Sequence, residues 1–85
     1  MKFYVVCVRF ENGNGFYYRF YNRTTNKLTR TIPDNKTFDY AYSKRISAKK
    51  CAVYLGKCNE KINSTFVDVY VSDLCGSIGV YRKKK

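Results

Sequence analysis

Tyr17, Arg19, Tyr21 and Arg23 alternate within one short stretch of this chain, and a β-strand would place all four on the same face. Aromatic rings set between guanidinium groups can stack unpaired bases while the cations hold phosphates, at about 1–3 kcal/mol per stacked base and with little sequence preference. The same alternation also arises without any ligand, because Tyr is a good strand residue and Arg pairs with its ring. A second cationic group, Lys44, Arg45, Lys49 and Lys50, falls where a helix is expected to begin, and Lys57 and Lys61 follow on the same segment. Cations at a helix N-terminus oppose the helix dipole, so their concentration there costs stability and hints at use. A third group, Arg82, Lys83 and Lys84, runs into the terminal Lys85 and could grip a phosphate backbone or an acidic protein groove.

Catalytic chemistry finds little material. The chain has no histidine, and its six carboxylates, Glu11, Asp34, Asp39, Glu60, Asp68 and Asp73, are scattered, which disfavours both general acid–base work and a two-metal site. Pro33-Asp34-Asn35-Lys36 echoes a nuclease signature without its second acidic residue, and Gly76-Ser77-Ile78-Gly79 lacks the Lys and the length of a phosphate-binding loop. No enzyme activity, cofactor or metal is expected. The four cysteines, Cys7, Cys51, Cys58 and Cys75, show no paired spacing of the zinc type. Cys51 and Cys58 on one helix would lie about 10.5 Å apart, too far to bond each other. They read as free thiols.

The charge balance sets the class of partner. Seventeen Lys and Arg against six acids give a formal charge of +11 in 85 residues, and such self-repulsion is most simply tolerated for a polyanionic partner. Hydrophobic content of 45%, with a single Pro, nevertheless argues for an ordered domain over a disordered basic peptide. No stretch approaches the roughly 20 apolar residues of a membrane span. Met1 to Val6 reads as the start of a strand and not as a leader. The chain is therefore expected to be intracellular and cytoplasmic, and the sequons at Asn22, Asn35 and Asn63 are read as chance occurrences.

The elements that must position these residues form one α+β domain over 1–81, with 82–85 as a basic tail. Asn12-Gly13-Asn14-Gly15 between two aromatic, β-branched runs predicts a hairpin with strands over 2–11 and 16–23. A polar turn, Arg23 to Lys27, predicts a third strand over Leu28 to Ile32, and the segment 34–45 with Phe38, Tyr40 and Tyr42 is a packed loop or short strand. Ser47 is a candidate N-cap for a helix reaching Ile62, with Ala48, Cys51, Ala52, Leu55, Cys58 and Ile62 as its apolar stripe and Lys50, Tyr54, Lys57 and Lys61 opposite. Phe66 to Ser72 alternates as a half-buried strand, with Val67, Val69 and Val71 on one side. Ile78 to Arg82 makes the last strand. The expected fold is a small, meander-type antiparallel sheet of four to five strands with one amphipathic helix packed on one face.

Parity then divides the hairpin into two faces. One carries Phe3, Val5, Cys7 and Arg9 beside Phe16, Tyr18 and Phe20; the other carries Tyr4, Val6, Val8 and Phe10 beside Tyr17, Arg19, Tyr21 and Arg23. The helix is expected on the first, leaving the Tyr–Arg stripe open and Val6, Val8 and Phe10 as an exposed apolar patch suited to a protein interface or homodimer. The leading expectation is a small, non-enzymatic protein that binds nucleic acid or a nucleoprotein through Lys/Arg and an open aromatic sheet face, with a composition common among phage and mobile-element products. The alternative is a protein-binding inhibitor that occludes a nucleic-acid-handling host enzyme or defence complex, an anti-CRISPR-like anti-defence protein being one form, with the positive charge engaging an acidic host-protein surface or a guide RNA held in the complex.

Overall fold

In a computed structural model, which describes residues 4–30, 41–73 and 76–83, the Asn-Gly hairpin forms where the sequence places it. β1 (Tyr4–Asn12) and β2 (Gly15–Asn22) pair with Cys7 opposite Phe20 and Asn12 opposite Gly15. The Asn12 side chain accepts the Asn14 N–H at 3.0 Å, and Gly15 takes φ of 145°, a region that suits glycine. The next turn is held by Asn22, whose side-chain oxygen accepts from Thr24 N at 2.9 Å and Thr25 N at 3.1 Å, while Asn26 adopts φ of 58°. It delivers β3 (Lys27–Thr29) to the outer edge of β2. β3 ends before Arg30, which is a bend, and Thr31 and Ile32 of the predicted third strand, Phe3, Phe38 and Tyr40 lie outside the described residues. The segment read as a packed loop or short strand yields β4 (Ala41–Tyr42), paired with Tyr4 and Val5 of β1.

Helix α1 (Arg45–Ile62) starts two residues before Ser47, with Lys44 at the N-cap and no side-chain cap. It is followed by β5 (Phe66–Asp73) and β6 (Gly76–Arg82). Among the described residues the antiparallel sheet has six strands, in the order β3-β2-β1-β5-β6 with β4 also on β1. The two runs β1-β2-β3 and β5-β6 are meanders, and the crossover through α1 makes β1 central. The expected α+β sheet with one covering helix is the fold observed.

Which face the helix covers is the main correction. Val6 and Val8 are 0% exposed and Phe10 is 3% exposed, packed with Ala48, Ala52, Leu55, Phe66, Val69 and Val71. The register of the hairpin is as expected, but α1 lies on the opposite face, so Val6, Val8 and Phe10 are core and not an interface patch. Arg9, Glu11 and Asp68 share the other face, and covering it would bury charge at a cost of several kcal/mol. The helix stripe is rotated as well: Gly56 and Asn59 are buried, Cys51 and Cys58 are half-buried, and Ile62 is exposed.

Two β-bulges complete the core. Arg9 pairs with Asp68 but Phe10 pairs with Phe66, leaving Val67 as the extra residue. Phe66 therefore turns to the core side, edge-on to Phe10 at 6.3 Å, and Val67 leaves the valine face predicted from strict alternation. A second bulge at Val80 puts Tyr81 opposite Val69, on the helix side, where it packs on Phe66 and donates its hydroxyl hydrogen bond to Glu60. Tyr81 occupies the space a side chain at Gly56 would need, its own Cβ lying 2.9 Å from a Cβ built there. Gly56→Ala should consequently destabilise the protein by about 1–3 kcal/mol in urea unfolding, although Ala is the better helix former; a stabilised variant would show that α1 and β6 are not in this close contact.

Candidate nucleic-acid interface

The Tyr–Arg stripe is not an open platform. Tyr17 stacks on Phe10 with ring centres 5.3 Å apart and planes 17° from parallel, and Tyr21 is half-buried against the core. Arg19 lies over the Tyr17 ring at 4.8 Å and donates to the Tyr18 carbonyl at 2.9 Å, while Arg23 lies over Tyr42 at 5.1 Å. Burial beside α1 pushes the Tyr21 hydroxyl pKa above its ordinary value, with the Cys51 thiol as the next contributor. Tyr17 and Tyr21 thus wall the helix-side core, with Arg19 and the exposed Arg23 laid over Tyr17 and Tyr42 at its margin.

The face that no helix covers among the described residues carries a different aromatic set. Phe16 is 54% exposed and Tyr18 47% exposed on β2, with Phe20 and Tyr70 half-buried beside them. Arg9 sits at the centre. Its Nε and Nη2 donate to the two oxygens of Asp68 at 2.9 and 2.6 Å, and its guanidinium lies 4.6 Å from the Phe16 ring centre and 5.2 Å from that of Tyr70. Tyr70 adds a hydroxyl hydrogen bond to Asp68 at 3.1 Å. Asp68 is thus buried but fully engaged. A signal for this arrangement exists in the sequence: parity places Arg9 and Glu11 with Phe16, Tyr18 and Phe20, and a face bearing those charges is the one a lone helix leaves open.

The cations segregate to other surfaces. Lys50, Lys57 and Lys61 are exposed on the outer side of α1 together with Tyr54, which is 67% exposed. Lys44, Arg45, Lys49 and Lys50 are all exposed around the helix start, and Arg45 and Lys49 line a cleft of about 260 Å³ with Tyr4, Asp73 and Ser77. Arg82 belongs to β6, opposite Asp68, and Lys83 bonds through its N–H to the Val67 carbonyl at 2.9 Å and through Nζ to the Ser64 carbonyl at 3.3 Å. The basic tail thus begins as sheet; Lys84 lies outside the described residues. The structure brings Arg82 and Lys83 to the Arg9–Asp68 pair, where they line a depression of about 420 Å³, and keeps the helix cations on the far side of the sheet.

Cys7, Cys51 and Cys58 are free thiols; Cys75 lies outside the described residues. Burial, with Asp68 nearby, pushes the Cys7 thiol up to about 11 from an ordinary 9.0, so it is protonated and inert at neutral pH. Among the described residues, no three His, Cys, Asp or Glu side chains gather as a metal site, and no helix is long and apolar enough to cross a membrane.

Two outcomes are expected. Arg9→Leu strands a buried carboxylate and should cost about 3 kcal/mol in urea unfolding, with Arg9→Leu/Asp68→Leu recovering much of the loss; a silent Arg9→Leu would show that the pair does not order the face. The Cys7 contribution to stability is complete below pH 9 and lost as pH rises toward about 11, because the folded thiol holds its proton longer than the unfolded one. Cys7→Val should therefore shallow the fall in urea midpoint across that window, and an unchanged profile would assign the fall to other groups. Comparison with protein-family models, curated proteins and solved structures gave no match to this chain.

Proposed function

We propose that the protein is a non-catalytic nucleic-acid-binding domain. The observation that carries this reading is the cationic ridge on α1: Lys50, Lys57 and Lys61 stand exposed at spacings of seven and four residues around Tyr54, and the helix's sole carboxylate, Glu60, is engaged by Tyr81. At 1.5 Å per residue the ridge runs about 16 Å, a length over which a phosphate backbone offers several charges. Arg45 and Lys49 extend it at the helix start. Phe16 and Tyr18 on the opposite side supply exposed rings for base contact, and Arg82 and Lys83 supply cations on that face across β1 and β5 from them. Free thiols and a polyanionic partner fit an intracellular setting.

A salt titration with labelled single- and double-stranded oligonucleotides tests the reading. Wild type should bind with log affinity falling linearly against log salt, and Lys50→Ala/Lys57→Ala/Lys61→Ala should lower that slope by about 2 for a single strand. Absence of binding at low salt would overturn the proposal and transfer the ridge to the alternative, an acidic protein surface occluded by this domain.

A further inference from the structure

The uncovered face holds a feature that charge alone does not explain. On β1 the row that crosses from β2 to β5 passes through Cys7, which lies opposite Phe20 on one side and Tyr70 on the other, with Tyr18 two pairs along, opposite Arg9 on the same face. Cys7 is the smallest side chain of that row, so the sheet surface dips there. The dip is a depression of about 310 Å³ lined by Cys7, Tyr18, Tyr70, Ser72 and Ser77. It lies at the small end of the roughly 300–1,000 Å³ typical of ligand sites, and its mix of aromatic walls and a few hydroxyls is the composition such sites use. Tyr18 and Tyr70 stand on strands two apart and two residues out of line, about 12 Å at the backbone, which leaves space for one flat ring above the thiol.

We infer that this depression receives one unpaired base of a single-stranded nucleic acid, between Tyr18 and Tyr70. The inference rests on the nucleic-acid reading above and narrows it to a strand class. Ser72 and Ser77 face each other across β5 and β6, where their hydroxyls can donate to or accept from a base edge. The Arg9–Asp68 pair bounds the site on the side leading to Arg82 and Lys83, so a strand with its base over Cys7 runs its phosphates toward those cations. Charge complementarity therefore selects a nucleic acid strand as the occupant. A duplex keeps its bases stacked inside and presents no ring to the depression, whereas a single strand can splay one out.

The test uses the full chain with a single-stranded oligonucleotide carrying one 5-iodouridine, and a duplex of the same sequence. Irradiation and peptide mass spectrometry should place the single-strand crosslink on Tyr18 or Tyr70. Tyr18→Ala should weaken single-strand affinity about 5- to 100-fold with duplex affinity unchanged. Ser77→Trp provides a second variant that adds bulk at an exposed rim position and so leaves the core intact; it should abolish the crosslink while the thermal midpoint holds. Equal affinity for single strand and duplex, with crosslinks confined to α1, would overturn this inference and leave the nucleic-acid reading standing. Failure of both probes to bind would overturn the two together.

Discussion

One helix cannot cover both faces of a sheet, and the rest of this structure depends on how that shortage is resolved at β1. The strand offers Val6, Val8 and Phe10 on one side and Val5, Cys7, Arg9 and Glu11 on the other. Placing α1 on the second side would bury a guanidinium and a carboxylate, whereas on the first side β1 itself carries no charge and Arg19 and Arg23 of the hairpin lie over Tyr17 and Tyr42. Ala48, Ala52 and Leu55 accordingly pack on the valines. Asp68 on β5 then completes Arg9 from the neighbouring strand, so the exposed face is ordered by a bidentate pair and not left as a loose polar surface.

The two bulges carry the consequence of that choice to the far edge. Without the extra residue at Val67, Phe66 would point to the open face and the core would lose its largest fully buried side chain. Without the one at Val80, Tyr81 would not reach the helix, and Arg82 would not come opposite Asp68. Gly56 is the matching concession on α1, since only a residue without a side chain lets the Tyr81 ring lie against the helix backbone. Packing on one side of β6 and presentation of cations on the other are thus set by the same local insertion.

The helix cations and the exposed aromatics of the sheet end up on opposite sides, which shapes how a polyanion could use them. The ridge of Lys50, Lys57 and Lys61 belongs to the helix layer, while Phe16, Tyr18 and Tyr70 belong to the uncovered face. On the proposed reading, a strand engaging both must turn around an edge of the sheet. β6 is such an edge, and Arg82 and Lys83 stand at its end.

Much of the fold is legible without coordinates because it is written in local chemistry. The Asn-Gly turn, the polar turn at Asn22 to Lys27, the amphipathic helix and the β-branched strands each follow from residue types acting on their own backbone, and the parity of the hairpin follows from an even loop. The charge and the absence of histidine are likewise read from composition alone. The site was less legible. Tyr17, Arg19, Tyr21 and Arg23 form a stripe by spacing, but whether it is wall or platform depends on which face α1 occupies, and that is settled by the desolvation cost of Arg9 and Asp68, residues 59 positions apart. Strict alternation likewise mislaid Val67 and Phe66, because a bulge is a property of two strands in register and leaves no mark on one. What the chain determined by itself was its elements and their two-faced character; which face became core, and hence which aromatics remain exposed, was decided only when distant charges met across the sheet.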